Sequence, residues 1–142
     1  MKLNDIMTNP VVRIDPEESV EVASRMLDRN NIGAMPVCSV GGNLCGMITD
    51  RDIVIRCLAV GKNASDTKVK DVMTRKVYVG RPDMDVSVAA DLMGREQIRR
   101  LPVMKEGKLC GMVSLGDLTG KGCADIQAAD ALKAISSHVS GR

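Results

Sequence analysis

Leu44-Cys45-Gly46-Met47-Ile48-Thr49-Asp50-Arg51-Asp52-Ile53 decides the fold, because the chain writes it again as Leu109-Cys110-Gly111-Met112-Val113-Ser114-Leu115-Gly116-Asp117-Leu118. In each copy an apolar run ends in a hydroxyl side chain, and a carboxylate follows three residues later at the start of an amphipathic segment. Both copies read as a buried strand entering a helix. Working outward, Ile32-x-x-Met35-Pro36-Val37 returns as Ile98-x-x-Leu101-Pro102-Val103, and Val20-x-Val22-Ala23 as Val86-x-Val88-Ala89. Asp5-Ile6-Met7-Thr8 returns as Asp71-Val72-Met73-Thr74. These pairs share one offset, that from Pro16 to Pro82. The Gly46–Gly111 offset is one residue shorter, which places a deletion most simply in the second hairpin turn.

Each half reads as the same series. Val11-Val12-Arg13-Ile14 is a short β-rich run ended by Asp15-Pro16, and Ser19 is a good N-cap. Val20, Ala23, Met26 and Leu27 follow at helical spacing until Asn30-Asn31. Residues 35–40 and 44–48 form a hairpin around Gly41-Gly42-Asn43. A second helix covers about residues 50–60 and stops at Gly61. The second half repeats this, with Asp85 as N-cap and Glu106-Gly107-Lys108 in the turn. The expected fold is α/β of the α+β type, two β-α-β-β-α units packed with pseudo-two-fold symmetry. A half of about 60 residues has a marginal core alone. The expected boundaries are 3–61 and 69–122, with a polar linker at 62–68 and a helical segment at 123–142. In that last segment Ile126, Ala129, Leu132 and Ile135 share one face.

Composition narrows the function. The 142 residues are 44% hydrophobic and 27% charged, which excludes wholesale disorder. Twenty Lys and Arg against eighteen Asp and Glu leave a net charge of +2, no signature of a polyanion binder. One Tyr with no Trp or Phe argues against base stacking, so no nucleic-acid partner is expected. No apolar run reaches the roughly 18 residues of a membrane span. No signal-type segment opens the chain, so a cytoplasmic protein is expected. The five cysteines, Cys38, Cys45, Cys57, Cys110 and Cys123, are odd in number and contain no C-x-x-C, so they read as reduced, partly buried thiols. No metal and no resident cofactor are expected. His138 is the only histidine and reads as solvated; no nucleophile–base pair can be assembled, so no enzyme is expected. Met26, Met35, Met47, Met93 and Met112 fall on apolar faces and read as core.

The two strand-to-helix junctions carry the chemistry. A carboxylate accepts hydrogen bonds from both hydroxyls of a ribose. A hydroxyl side chain with the free N–H groups of a helix start holds phosphate oxygens. Arg51 adds charge to the first junction. The competing reading is structural, since Ser/Thr-x-x-acid is a variant of the capping box. Identical spacing in both copies weakens the structural reading, because capping alone equally allows Asn, Glu or Gln.

The ordered set of Asp-x-Met-Thr, apolar-Pro-Val and Gly-apolar-apolar-Thr/Ser-x-x-Asp, present twice, resembles a tandem pair of CBS domains over about residues 3–120. The resemblance implies an adenosyl ligand in clefts between the halves: AMP, ADP, ATP, a NAD-type nucleotide or S-adenosylmethionine. It implies that Asp52 and Asp117 hold ribose and that Thr49 and Ser114 contact ribose or phosphate. It further implies that Val11, Val12, Val77 and Tyr78, with Met35, Pro36, Leu101 and Pro102, sandwich the adenine and read its edge through backbone groups. The copies differ: Asp50-Arg51 faces Leu115-Gly116, and Gly33-Ala34 faces Arg99-Arg100. Arg51 makes the first junction the stronger expected phosphate site, and Arg100 reverses that order if it turns into the second. The expected protein is a nucleotide-sensing regulatory module linked to stress or energy status, acting on a protein partner in trans. It is expected to form a homodimer through helices exposing Val22, Ile55 and Val88. The alternatives are a ligand-free interaction module and a redox- or metal-responsive stress protein using Cys38, Cys45 or Cys110.

Overall fold

A computed structural model of the chain describes residues 1–120; the expected helical segment 123–142, with Cys123 and His138, lies outside the described residues. Packing divides the chain into a central body, Val12–Val77, and a terminal body, in which Met1–Val11 joins the chain from Tyr78 onward. The bodies therefore do not follow the sequence repeats. Each repeat's leading Asp-x-Met-Thr segment belongs to the body that holds the other repeat's hairpin.

In the central body, Ile14 forms one parallel bridge: its N–H donates to the Pro36 carbonyl (3.1 Å), and its carbonyl accepts from the Cys38 N–H (2.8 Å). The strand expected at 11–14 is reduced to this bridge. Proline lacks a donor, and Pro10 and Pro16 bracket the run. The Asp15 carboxylate accepts from the Glu17 N–H at 2.8 Å and turns the chain. Helix α1, Val20–Asn30, starts at Ser19, whose hydroxyl accepts from the Val22 N–H, and ends at Asn31 in the left-handed region. Val20, Ala23 and Leu27 are its buried stripe. Strands β1, Ala34–Cys38, and β2, Leu44–Thr49, pair antiparallel, and Met35, Val37 and Ile48 fill the core they share with α1.

Helix α2, Asp50–Ile53, continues into a π-helical turn, Val54–Leu58, where the Ala59 N–H donates to the Val54 carbonyl (2.8 Å). Ile53 and Cys57 face the core, while Val54, Ile55 and Leu58 are about half exposed, at 50%, 48% and 56%. The polar stretch 62–68 packs onto the start of α1. The Ala64 and Thr67 carbonyls accept the Glu21 and Val20 N–H groups (3.0 and 2.8 Å), two donors a helix start leaves without intrahelical partners. Lys68 and Lys70 both reach the Glu17 carboxylate, at 2.6 and 2.8 Å. One turn of helix, α3, Val69–Val72, then closes the core.

The terminal body repeats the scheme. Gly80 bridges Val103 in parallel. Helix α4, Val86–Glu96, is capped by Asp85 and ends at Gln97 in the left-handed region. Strands β3, Arg100–Lys105, and β4, Lys108–Ser114, pair antiparallel, and α5, Leu115–Gly120, follows. Leu3, Met93, Leu101, Val103, Val113 and Leu118 are almost wholly buried in its core. The missing residue does lie in the turn. Five residues separate the paired Cys38 and Leu44, but four separate Met104 and Leu109. The shorter turn is closed by Glu106 and Gly107, both at positive φ (52° and 78°), the backbone of a tight two-residue hairpin.

Among the described cysteines all four are free; Cys38 and Cys57 are buried, and Cys45 and Cys110 are half-buried at the bulge of each hairpin. Burial pushes the Cys38 thiol up, against the opposing effect of Arg13. The expected apolar face is corrected in one position: Val22 packs against the central core, whereas Ile55 and Val88 are exposed as expected, together with Val54, Leu58 and Val60.

Candidate functional site

Both junctions are built by the same backbone device. In the central body the Met47 N–H donates to the Thr74 carbonyl (2.9 Å), and the Thr74 N–H to the Met47 carbonyl (2.8 Å). In the terminal body Thr8 and Met112 exchange the same two bonds, at 2.8 and 3.1 Å. Each Asp-x-Met-Thr segment thus lies along the strand that ends in the hydroxyl residue. This close approach explains the glycine two residues after each Leu of that strand. A Cβ on Gly46 would sit 2.5 Å from the Thr74 carbonyl oxygen and 3.0 Å from Met73 Sδ, and one on Gly111 would collide with the Met7 side chain.

At the first junction Thr49 Oγ1 accepts from the Asp52 N–H (3.0 Å), and Asp52 Oδ2 accepts from the Thr49 N–H (3.1 Å). At the second, Ser114 Oγ accepts from the Asp117 N–H (3.2 Å), and Asp117 Oδ2 accepts from the Ser114 N–H (2.8 Å). Both are complete reciprocal caps. Capping fixes each carboxylate at the helix start, with the hydroxyl residue beside it.

Beyond the cap the junctions part. Thr74 Oγ1 donates to the Asp52 carboxylate, at 3.1 and 3.2 Å from its two oxygens. Arg56 Nη1 lies 3.9 Å from Asp52 Oδ1 and donates to the Val72 and Met73 carbonyls (3.2 and 3.0 Å). Asp52 is 7% exposed. Asp117 is half-buried, and the Ser114 N–H is the one donor to its carboxylate among the described residues. Arg100 pairs directly across from Ser114 in the β3–β4 ladder, where the first hairpin has Ala34 opposite Thr49. Directly opposed residues share a face of the sheet, so Arg100 lies on the Ser114 face of its hairpin.

The remaining expected residues are placed as follows. Arg51 is exposed beside Asp50. Val11, Val12 and Val77 are half-buried, and the chain passes between the bodies at Val11–Val12 and Val77–Tyr78. The side chains of Met35 and Leu101 are fully buried in the cores, which leaves their backbone as what they can offer a ligand. The carbonyls of Pro36 and Pro102 accept from Ile14 and Gly80. A recess of about 540 Å3 beside Thr74 is lined by Arg56, Lys70, Asp71, Met73, Arg75 and Lys76. Sequence reasoning missed Thr74 and Arg56 as partners of Asp52. The signals were present: Thr74 ends a repeated motif, and Arg56 stands four residues after Asp52 on one helix. Among the described residues no cluster of three or more His, Cys, Asp or Glu side chains is arranged to hold a metal ion.

Comparison with known proteins gives a consistent picture. The family model of the CBS domain matches residues 3–58 and 69–121. The chain is 38% identical over 134 residues to CBS domain-containing protein YhcV of Bacillus subtilis (strain 168), covering 94% of each. Among solved structures it resembles Hypoxic Response Protein I with two coordinated zinc ions: TM-score 0.79, 30% identity, 84% of this chain and 98% of that one. It also resembles the CBS domain pair of protein MJ0100 in complex with 5'-methylthioadenosine and S-adenosyl-L-methionine: TM-score 0.76, 27% identity, 85% of this chain and 94% of that one.

Proposed function

The chain belongs to the CBS domain family as a tandem pair, and from that premise we propose that it is a non-enzymatic regulatory module taking an adenosyl ligand at its strand-to-helix junctions. The observation that carries this reading is the second junction. There Asp117 and Ser114 form a reciprocal cap around a half-buried carboxylate, Arg100 stands opposite Ser114 in the strand ladder, and among the described residues the Ser114 N–H is the one donor to that carboxylate. Asp117 takes the ribose diol, Ser114 and the helix-start N–H groups take ribose or phosphate, and Arg100 selects an anionic tail. The adenosyl ligands named for the MJ0100 pair support this class. AMP, ADP, ATP, a NAD-type nucleotide and S-adenosylmethionine all present the required diol. Asp52 with Thr49 and Arg51 is the corresponding site in the first repeat. In this reading Val11, Val12 and Val77 flank the base, and repeats 3–61 and 69–122 are the sensing units.

Exposed Val54, Ile55 and Leu58 on the π-helical turn, with Val60 just after it, present apolar surface, which favours a homodimer. Sedimentation at micromolar concentration tests this, and a monomer there contradicts it. Among the described residues no helix is long and apolar enough to cross a membrane; a cytoplasmic protein acting on a partner in trans fits this reading. A second reading, a ligand-free interaction module, is favoured by Asp52, whose carboxylate is buried in internal contacts. Mass spectrometry of small molecules released from the purified native protein separates the two. An adenosyl compound supports sensing, and an empty protein that also fails to bind added adenosyl compounds supports the interaction module.

A further inference from the structure

We propose that Thr74 is a specificity-determining residue that latches the first junction shut, so that the chain takes its ligand at the second. The proposal rests on the adenosyl-binding reading above and assigns which junction is available. A ribose diol needs both oxygens of its carboxylate. At Asp52 both are already approached by the Thr74 hydroxyl, at 3.1 and 3.2 Å, and Oδ2 also accepts the Thr49 N–H. Asp52 is 7% exposed, so little of the residue meets solvent.

Thr74 is not a loose surface hydroxyl. Its N–H and carbonyl are both bonded to Met47, and its carbonyl sits where a side chain at position 46 would be, so the segment is seated against Gly46. Arg56 fastens the same segment through the Val72 and Met73 carbonyls while facing Asp52. Ligand entry at Asp52 therefore requires the Thr74 hydroxyl to give up its acceptor, with the backbone that carries it held in place.

The terminal body supplies the internal control. Thr8 occupies the equivalent backbone bridge, on Met112, but it is exposed and donates no hydrogen bond to Asp117. Among the described residues, one backbone arrangement thus gives a carboxylate that receives a threonine hydroxyl in one repeat and one that does not in the other.

The test is isothermal titration of stripped protein with AMP and with S-adenosylmethionine. Wild type is expected to bind one molecule per chain. Thr74→Val keeps the branched shape and removes the donor; it is expected to bind a second molecule, roughly tenfold or more tighter than any second event in wild type, the ratio one charge-assisted hydrogen bond supports. Thr74→Ser, which restores the donor, returns the single site, and Thr8→Val binds as wild type does. Thr74→Ala is the second donor-free variant should valine pack poorly. A donor-free variant with wild-type stoichiometry and affinity, in a protein whose binding is lost in Asp117→Asn, overturns the latch and leaves the adenosyl reading standing. Two equal sites in wild type also overturn the latch. No binding of either probe by any variant overturns both.

Discussion

The two strand-to-helix junctions are copies in sequence and in backbone, yet they present their carboxylates differently. Asp52 is 7% exposed and receives the Thr49 N–H and the Thr74 hydroxyl, with Arg56 nearby; Asp117 is half-buried and receives the Ser114 N–H. A duplicated motif therefore preserves a capping geometry more faithfully than it preserves access. Capping needs the reciprocal bonds of residues three apart. Access depends on what a segment far along the chain lays over the carboxylate.

The largest contrast is expected at the glycines on which those segments lie. Gly46→Ala drives a Cβ against the Thr74 carbonyl, a backbone atom at 2.5 Å, whereas the three atoms nearest a Cβ on Gly111 all belong to the Met7 side chain. Overpacking costs about 1–3 kcal/mol, and Gly46→Ala should lie at or above the top of that range, with Gly111→Ala at the bottom. Denaturant midpoints of the two variants check this; equal losses would break the proposed difference in how the segments are seated.

A smaller contrast separates the carboxylates themselves. Asp52→Ala strips the Thr49 N–H and Thr74 hydroxyl of their partner in a buried place and should cost about 1–3 kcal/mol. Asp117→Ala removes one partner where water replaces it and should cost under about 1 kcal/mol. Thermal unfolding of both variants at one pH measures the order, and the reverse order would contradict the comparison.

The smallest effect concerns the stretch that ties 62–68 to α1. Lys68 and Lys70 hold Glu17 down from 4.5 to about 2. A carboxylate with a depressed folded-state pKa contributes stability above its unfolded value and loses it as pH falls toward the folded one. The Glu17 contribution is thus present above pH 4.5 and fades between about 4.5 and about 2, a modest slope because all three groups are exposed. Glu17→Gln should flatten that part of the stability–pH curve; an unchanged slope there would show that the pair contributes nothing.

The fold was legible wherever local chemistry decides. Ser19 and Asp85 cap their helices, Asn31 ends α1, and the one-residue difference in offset falls in the hairpin turn. The repeats also pointed to the tandem CBS pair that the family model matches. What the sequence did not disclose depends on contacts between distant segments. That 62–68 completes the start of α1 through carbonyls at Ala64 and Thr67 leaves no residue-type signature, because every residue carries a carbonyl. Val22 reads as an exposed helix-face position with Ile55 and Val88, but it is partly buried against the central core. Thr74 was visible as a repeat marker; its hydroxyl reaching Asp52 follows from the antiparallel bridge to Met47, which periodicity does not specify. Arg51, prominent in sequence, is exposed beside Asp50, and Arg100 stands opposite Ser114 in the strand ladder.

The most direct measurement is isothermal titration of stripped wild type, Asp52→Asn and Asp117→Asn with AMP at fixed ionic strength, because phosphate contacts are screened by salt. Asn keeps the shape and capping ability of Asp and removes the charge. Wild type should bind, Asp117→Asn should lose roughly 10- to 150-fold in affinity, the range for a charge-assisted hydrogen bond, and Asp52→Asn should remain within about threefold of wild type. Wild type that is folded yet binds no AMP, S-adenosylmethionine or NAD-type nucleotide, or an Asp117→Asn variant that binds as tightly as wild type, would contradict the account.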